Sequence, residues 1–303
     1  MRKSPIRLRR LAAFVSVAAI GFAAVGCSAA AAPDDSETAA ASALFDEDAA
    51  ALLPEGVTEI VVASGPGYPP ILDLAEDGVT LSGSQPEEVR LIGEVLGVDI
   101  VFEDVKFDAL FPALESGRVD MAAAALGVTA ERLETVDFVS DFQGGTTLLV
   151  EGGNPLGLSL DTLCGHVVGV LKGSTEETVT LPIWNEECTA AGDPIEISTF
   201  PAAADAVLAL SSHRVEATVS ALPPAVYQAQ QSDGALEALD INFEPSPWAL
   251  AFPKGSELTP AIHAALLHLM ETGDYLANLE RFGVEAGAID EPVIYTEPSQ
   301  SEL

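Results

Sequence analysis

Basic side chains are scarce in this sequence, so each one present is a candidate for chemistry: 13 Lys and Arg stand against 47 Asp and Glu in 303 residues. Arg132 is the best placed of them. It closes the stretch Thr129-Ala130-Glu131-Arg132, just beyond an apolar run that reads as a strand. A guanidinium is a planar fork of donors, and the anion whose two oxygens match that fork is a carboxylate. The same arginine could instead open a short helix and pair with one of many surface acids, and residue type alone does not choose between the two. Gly173-Ser174-Thr175 precedes Glu176-Glu177 at a helix start. Free N–H groups at a helix N-terminus attract an anion, but Ser and Thr there serve equally as ordinary caps. Tyr68 and Phe107 offer flat faces for stacking or cation–π contact, or for core packing. His166, His213, His263 and His268 are scattered, and His263 and His268 are five apart rather than on one helix face. They make no metal-ligand spacing with cysteine, so neither a metal nor another cofactor is expected. No Ser-His-Asp set, metalloprotease helix or phosphate loop appears, so the chain does not read as an enzyme.

These residues sit in an alternating pattern of strands and helices. Glu59-Ile60-Val61-Val62-Ala63 reads as a strand, broken by the Gly- and Pro-rich stretch 64–70. Pro86 marks the first turn of a helix with Val89, Ile92, Val95 and Leu96 on one face and Gly97 at its end. Asp99–Phe102 is a second strand, Phe107–Glu115 a helix closed by Gly117, and Val119–Ala123 a third strand. Strands alternating with helices in this way imply a parallel α/β sheet. The stretch 113–121 then repeats at 209–217, with Arg118-Val119-Asp120 answered by Arg214-Val215-Glu216. A helix-to-strand junction occurring in each half points to two similar α/β lobes. In such sheets ligands bind past the carboxyl ends of strands, here 124–132, which includes Ala125 and Gly127, and 220–224, which opens with Ser220.

Composition bounds what the chain can be. With 48% hydrophobic and 20% charged residues it can build a real core despite a net charge of −34. Nucleic acid is excluded as a partner, because phosphate backbones are gripped by Lys and Arg. Arg2, Lys3, Arg7, Arg9 and Arg10 precede an apolar run from Leu11 to Val25 and then Gly26-Cys27, the layout of an export signal too short to span a bilayer. Cleavage ahead of Cys27 would leave 8 basic residues (13 less the 5 removed) against 47 acidic ones, a net of −39. Cys27 after small residues resembles a lipobox, which implies lipidation of that cysteine. Export then places Cys164 and Cys188 where disulfides persist. Residues 1–26 are thus expected to be a lipoprotein signal peptide and 27–55 a flexible tether.

From residue 56 to 286 the sequence resembles the extracellular solute-binding proteins of polar amino acid ABC transporters, family 3. The motifs that carry this occur in order: Tyr68-Pro69-Pro70; Phe107-Asp108-Ala109-Leu110 through Ser116-Gly117-Arg118-Val119-Asp120; Thr129 to Arg132 with Val136-Asp137-Phe138; Gly169-Val170-Leu171-Lys172-Gly173-Ser174-Thr175; Ala251-Phe252-Pro253-Lys254-Gly255-Ser256; Gly273-Asp274-Tyr275 with Arg281-Phe282-Gly283. The resemblance implies a periplasmic-binding-protein type II-like fold of two α/β lobes joined by two crossing hinge segments, near Phe142–Thr146 and Glu244–Trp248. Lobe 1 would comprise 56–143 and 248–290, lobe 2 would span 146–243, and 291–303 would be a tail. It further implies a monomeric, lipid-anchored receptor on the outer face of the cell membrane. Such a receptor closes on a small carboxylate-bearing solute and delivers it to a permease complex. Arg132 would grip the carboxylate, with Gly127, Ser174, Thr175, Ala125 and Ser220 around it and Tyr68 and Phe107 as walls. A cleft dehydratase acting on a cyclic carboxylate and a non-transport sensor are the alternatives.

The sequence departs from the family where an α-ammonium would be held. The acids usual after the first strand and in the second lobe are Gly65 and Ala221, the usual hydroxyl five residues before the arginine is Gly127, and Ser84-Gln85 replaces Phe-Asp. Because a buried ammonium without a carboxylate is costly, a carboxylate ligand is expected that lacks a standard α-ammonium or has one neutralised by aromatic faces.

Overall fold

A computed structural model describes residues 43–301. The expected export signal, Cys27 and the first part of the expected tether lie outside the described residues. The first half of the chain contains α1 (Glu47–Ala50), β1 (Glu59–Ser64), β2 (Asp73–Leu74), β3 (Leu81–Ser82), α2 (Ser84–Leu96), β4 (Asp99–Asp104), α3 (Leu110–Glu115), β5 (Met121–Gly127) and β6 (Val136–Glu151). There follow β7 (Val167–Leu171), α4 (Leu181–Ala191), β8 (Glu196–Phe200), α5 (Ala203–Ser211), β9 (Ala217–Ala221), α6 (Leu222–Gln231) and β10 (Leu236–Ala238). The chain ends with β11 (Phe243–Pro253), α7 (Thr259–Thr272), α8 (Asp274–Phe282) and β12 (Ile294–Tyr295).

Two lobes share the long strand β6. In lobe 1 the order is β4-β1-β5-β11-β6, with β1 parallel to β4 and β5 and β11 antiparallel to β5 and β6. In lobe 2 the far half of β6 pairs antiparallel with β9, and β9, β7 and β8 run parallel. The crossing lies at Gly144-Gly145-Thr146 of β6 and at the start of β11, where the ladder is interrupted between Phe243 and Ser246. One core fills lobe 1 around Ile60, Val62, Ile92, Leu110, Leu126 and Phe252. In lobe 2, Leu148 and Val150 of β6 face one cluster and Leu149 faces another on the opposite side of the sheet, the period-two alternation of a strand.

The internal repeat recurs as a hydrogen-bond pattern. Asp120 N–H donates to Val61 O and its carboxylate accepts from Val61 N–H at 2.8 Å. Glu216 repeats both bonds on Val167, its carboxylate accepting at 3.0 Å. Each junction acid thus pins the entry of its strand to the neighbouring one. Because Asp120 serves this role, the third strand starts at Met121 rather than Val119. It continues to Gly127 because the whole run 121–127 is buried or nearly so, as parallel central strands are.

Two boundaries differ from the sequence reading. Order begins upstream of Val57: Asp46 caps α1 by accepting from Ala49 N–H, its own N–H reaches Val95 O, and Ala49 is buried against lobe 1. The tail is not loose either. β12 pairs with Val139 and Phe138 of β6, and Val293 exchanges bonds with Ser140, so the otherwise open edge of β6 is covered. Phe142 and Trp248 are both nearly buried, with ring centroids 5.0 Å apart. The expected disulfide joins Cys164 to Cys188 on α4, closing a loop with a sequence separation of 24 in lobe 2. Replacing both cysteines by alanine is expected to lower unfolding stability by about 3 kcal/mol in the chain-entropy model. Denaturant titration of the variant against the oxidised protein checks this, and an unchanged midpoint would contradict it.

Candidate ligand-binding site

Between the lobes lies a cavity of about 320 Å³. Lobe 1 contributes the turn 65–68 after β1, Asp104 and Phe107 after β4, and Ala125 and Gly127 of β5. Lobe 2 contributes Ser174, Thr175 and Glu176 ahead of α4, Ala202 and Asp205 at the start of α5, and Ala221 at the end of β9. Gly144, Gly145 and Thr146 of β6 and Ser246 and Trp248 of β11 form the floor. These are the carboxyl ends of the parallel strands, where successive loops diverge and leave room for a solute.

Arg132 ties the two walls together. Its guanidinium donates to Gly127 O at 2.7 Å within lobe 1, and to Thr175 Oγ1 at 3.2 Å and Gly173 O at 2.9 Å in lobe 2. It also lies over the Phe111 ring, 5.3 Å from the centroid. A guanidinium has five N–H donors, and the protein itself takes up three of these bonds. Burial pulls its pKa down to about 10, against the opposing pull of Glu176 and Glu131, so it stays cationic at neutral pH. Tyr68 makes the second bridge: its hydroxyl accepts from Ala221 N–H at 3.1 Å and lies 3.4 Å from Ser220 Oγ. Burial, then the nearby Glu176, raises its pKa, so the phenol remains neutral. The lobes are therefore shut upon each other.

The turn at 173–175 acts partly as an ordinary cap. Ser174 Oγ accepts from Glu177 N–H, and the Glu177 carboxylate accepts from Gly173 N–H. Glu176, by contrast, turns into the cavity, and burial raises its pKa against its hydrogen bonds and Arg132. Gly127 is required by closure. A Cβ there would stand 2.6 Å from Thr175 Oγ1 of the opposite lobe, so the hydroxyl side chain usual at this position has no room.

Gly65 is explained by its neighbour. A Cβ on Gly65 would lie 3.0 Å from Asp104 Oδ1, since Asp104 pairs with Ser64 in the β1–β4 register. A carboxylate at the end of β4 thus stands beside the place of the acid missing from the end of β1.

The structure brings Tyr68, Phe107, Ala125, Gly127, Ser174 and Thr175 together on the cavity wall. Arg132 and Ser220 stand one layer behind, in contact through the bonds above. Sequence reasoning did not select Asp104, Lys106, Glu176, Asp205 or Trp248 for the cavity. The strand-end rule would have found Asp104 and Lys106 once the second strand was extended to Asp104. Nothing local distinguishes Asp205, the one acid of α5, from the many acids elsewhere in the chain. Among the described residues there is no group of His, Cys, Asp and Glu arranged to hold a metal, and no helix long and apolar enough to cross a membrane.

Residues 60–285 match the family model described as bacterial extracellular solute-binding proteins, family 3. The chain is 28% identical over 252 residues to the arginine-binding protein ArgT of Corynebacterium glutamicum, covering 82% of this chain and 83% of that one. Among solved structures it is similar to an ancestral arginine-binding protein bound to arginine, at 30% identity and a TM-score of 0.68, covering 74% of this chain and 98% of the other. It is also similar to an ancestral amino acid-binding protein that is a precursor of cyclohexadienyl dehydratase, at 26% identity and a TM-score of 0.65, covering 74% and 95%. With its two lobes, shared strand and closed interlobe cavity, the chain belongs to the bacterial extracellular solute-binding proteins of family 3.

Proposed function

We propose that this protein is the exported receptor of an ABC importer and that it closes on one amino acid with a cationic side chain. The observation that carries the reading is the charge layout of the cavity. Ser174 and Thr175, backed by Arg132 one layer behind, form a carboxylate-binding corner, while Asp104, Glu176 and Asp205 face the same space with Lys106 as the only base among its lining residues. A zwitterion with a basic tail answers both parts: its carboxylate takes the corner backed by Arg132, its ammonium lies at Asp104, and its tail runs toward Glu176 and Asp205 between Tyr68 and Phe107. Relatives described as arginine-binding support this choice of solute. In this reading Cys27 carries the lipid that holds a monomeric receptor at the outer membrane face, and a membrane permease receives the solute. No covalent step is needed.

A thermal-shift panel followed by calorimetry tests the proposal. L-arginine or L-lysine is expected to raise the melting point by mass action, with L-glutamate and simple carboxylates inert. Asp104→Asn is expected to weaken L-arginine at least about tenfold, in line with about 1.5–3 kcal/mol for a hydrogen bond to a charged group. Tighter binding of a des-amino carboxylate than of any cationic amino acid would overturn the reading.

A further inference from the structure

Two carboxyl groups are buried together outside the cavity, and binding does not use them. Glu88 on α2 and Asp141 on β6 are each 2% exposed. Glu88 Oε1 and Asp141 Oδ1 find no donor among the described residues. Two facing carboxylates cannot both ionise in such a place, so at neutral pH one keeps a proton and donates it to the other. The residues bordering the small void beside them are Ile71, Ser84, Gln85, Phe142, Trp248 and Leu279, with no Lys, Arg or His. The remaining titratable neighbour is Tyr275 of α8, whose hydroxyl donates to Asp141 O and whose pKa burial raises.

Gln85 connects this pair to the binding cavity. Its Nε2 donates to Asp141 Oδ2 at 2.5 Å, and its Oε1 accepts from Ala125 N–H at 2.9 Å. Ala125 lines the cavity and holds a left-handed backbone, φ 50°, which a non-glycine residue keeps only when its surroundings enforce it. Asp141 also precedes Phe142, which stacks on Trp248 of the cavity floor close to the crossing at Gly144. The amide of Gln85 has a fixed polarity. It can brace Ala125 with its oxygen only while its nitrogen faces an acceptor on Asp141. A proton on Asp141 Oδ2 asks the amide to turn, and the turned amide sets a donor against Ala125 N–H.

We propose that Glu88 and Asp141 form a proton site coupled to solute capture through Gln85: with one proton on the pair the cavity wall at Ala125 is braced, and a second proton, taken from solvent onto Asp141, releases it. This deepens the reading of the chain as an amino acid receptor and rests on it for its solute arm only. Burial pushes the Asp141 carboxyl up to about 6, against its hydrogen bonds to Gln85 and Glu88, and holds that of Glu88 well above the usual range. The second proton therefore binds in mildly acidic surroundings.

The first arm needs no ligand. In the apo protein the side-chain amide resonance of Gln85, assigned by its loss in Gln85→Ala, is expected to move with a midpoint near pH 6, and to stay flat in Asp141→Asn, which lacks the carboxyl that takes the second proton. A flat resonance in the wild type overturns the proton site. In the second arm, calorimetry with L-arginine is expected to show binding at least about fivefold weaker at pH 5.0 than at pH 7.5 in the wild type, and less than twofold weaker in Asp141→Asn. Equal pH profiles in both proteins overturn the coupling and assign the dependence to the cavity acids. Failure of every amino acid to bind at pH 7.5 instead counts against the receptor reading, while the resonance still decides the proton site.

Discussion

Arg132→Ala is expected to weaken solute binding at least about thirtyfold, because truncating one member of a buried, hydrogen-bonded charge pair costs about 2–5 kcal/mol. The guest carboxylate would be left facing Gly127 O and Gly173 O, the two carbonyls that the guanidinium now covers. Arg132→Lys should recover little, since an ammonium cannot hold two carbonyls and present a planar pair of donors at once. The apo fold should be nearly unaffected. Two of the three hydrogen bonds made by Arg132 reach lobe 2 and exist only when the lobes are shut. The bond to Gly127 O is worth about 1 kcal/mol. Calorimetry with L-arginine and a melting curve of the apo variant separate the two effects. An alanine variant that keeps full affinity would move the carboxylate to the 174–176 turn and refute the assignment of Arg132.

Gly127→Val is expected to block closure while leaving each lobe folded. The backbone at Gly127 asks for no positive φ, and the three atoms nearest to an added Cβ belong to Thr175, at 2.6, 3.4 and 3.5 Å. The added bulk therefore meets the opposite lobe first. Overpacking of this kind costs about 1–3 kcal/mol, and here the cost falls on the closed state alone, so solute affinity drops about 5- to 150-fold. Solution scattering should show the wild type becoming more compact with L-arginine and the variant remaining extended. Thr175→Ala in the same chain should restore part of the compaction by removing the hydroxyl that the valine strikes. A destabilised apo protein would show instead that Gly127 matters within lobe 1.

Much of the fold is legible in residue order. The helix ending at Gly97, with Gly97 left-handed at φ 67°, follows directly from the spacing of Val89, Ile92, Val95 and Leu96. The repeat at 113–121 and 209–217 announced two lobes, and the hydrogen bonds of Asp120 and Glu216 show why the acid recurs. The cavity lining was legible at strand ends and in the loops just after them, as at Ala125 and Gly127 of β5 and at Tyr68 and Thr175. It was not legible where a residue acts across strands. Asp104 reaches the place of a missing side chain on Gly65 only through the β1–β4 register, which a linear reading does not contain. The extent of the ordered fold was also misjudged at both ends, since a short helix and a two-residue strand draw their stability from the surface they cover rather than from their own sequence.

Taken alone, then, the sequence determined the local and the periodic: which segments are strands and helices, that there are two related lobes, and that the few basic residues are worth weighing. Those properties depend on neighbours three or four positions away and on composition. The tertiary structure decided which charges meet. It set Arg132 against carbonyls of both lobes, gave Asp104 the place beside Gly65, and enclosed Glu88 with Asp141. Coulomb and desolvation energies depend on distance and burial in space, and no spacing along the chain encodes either.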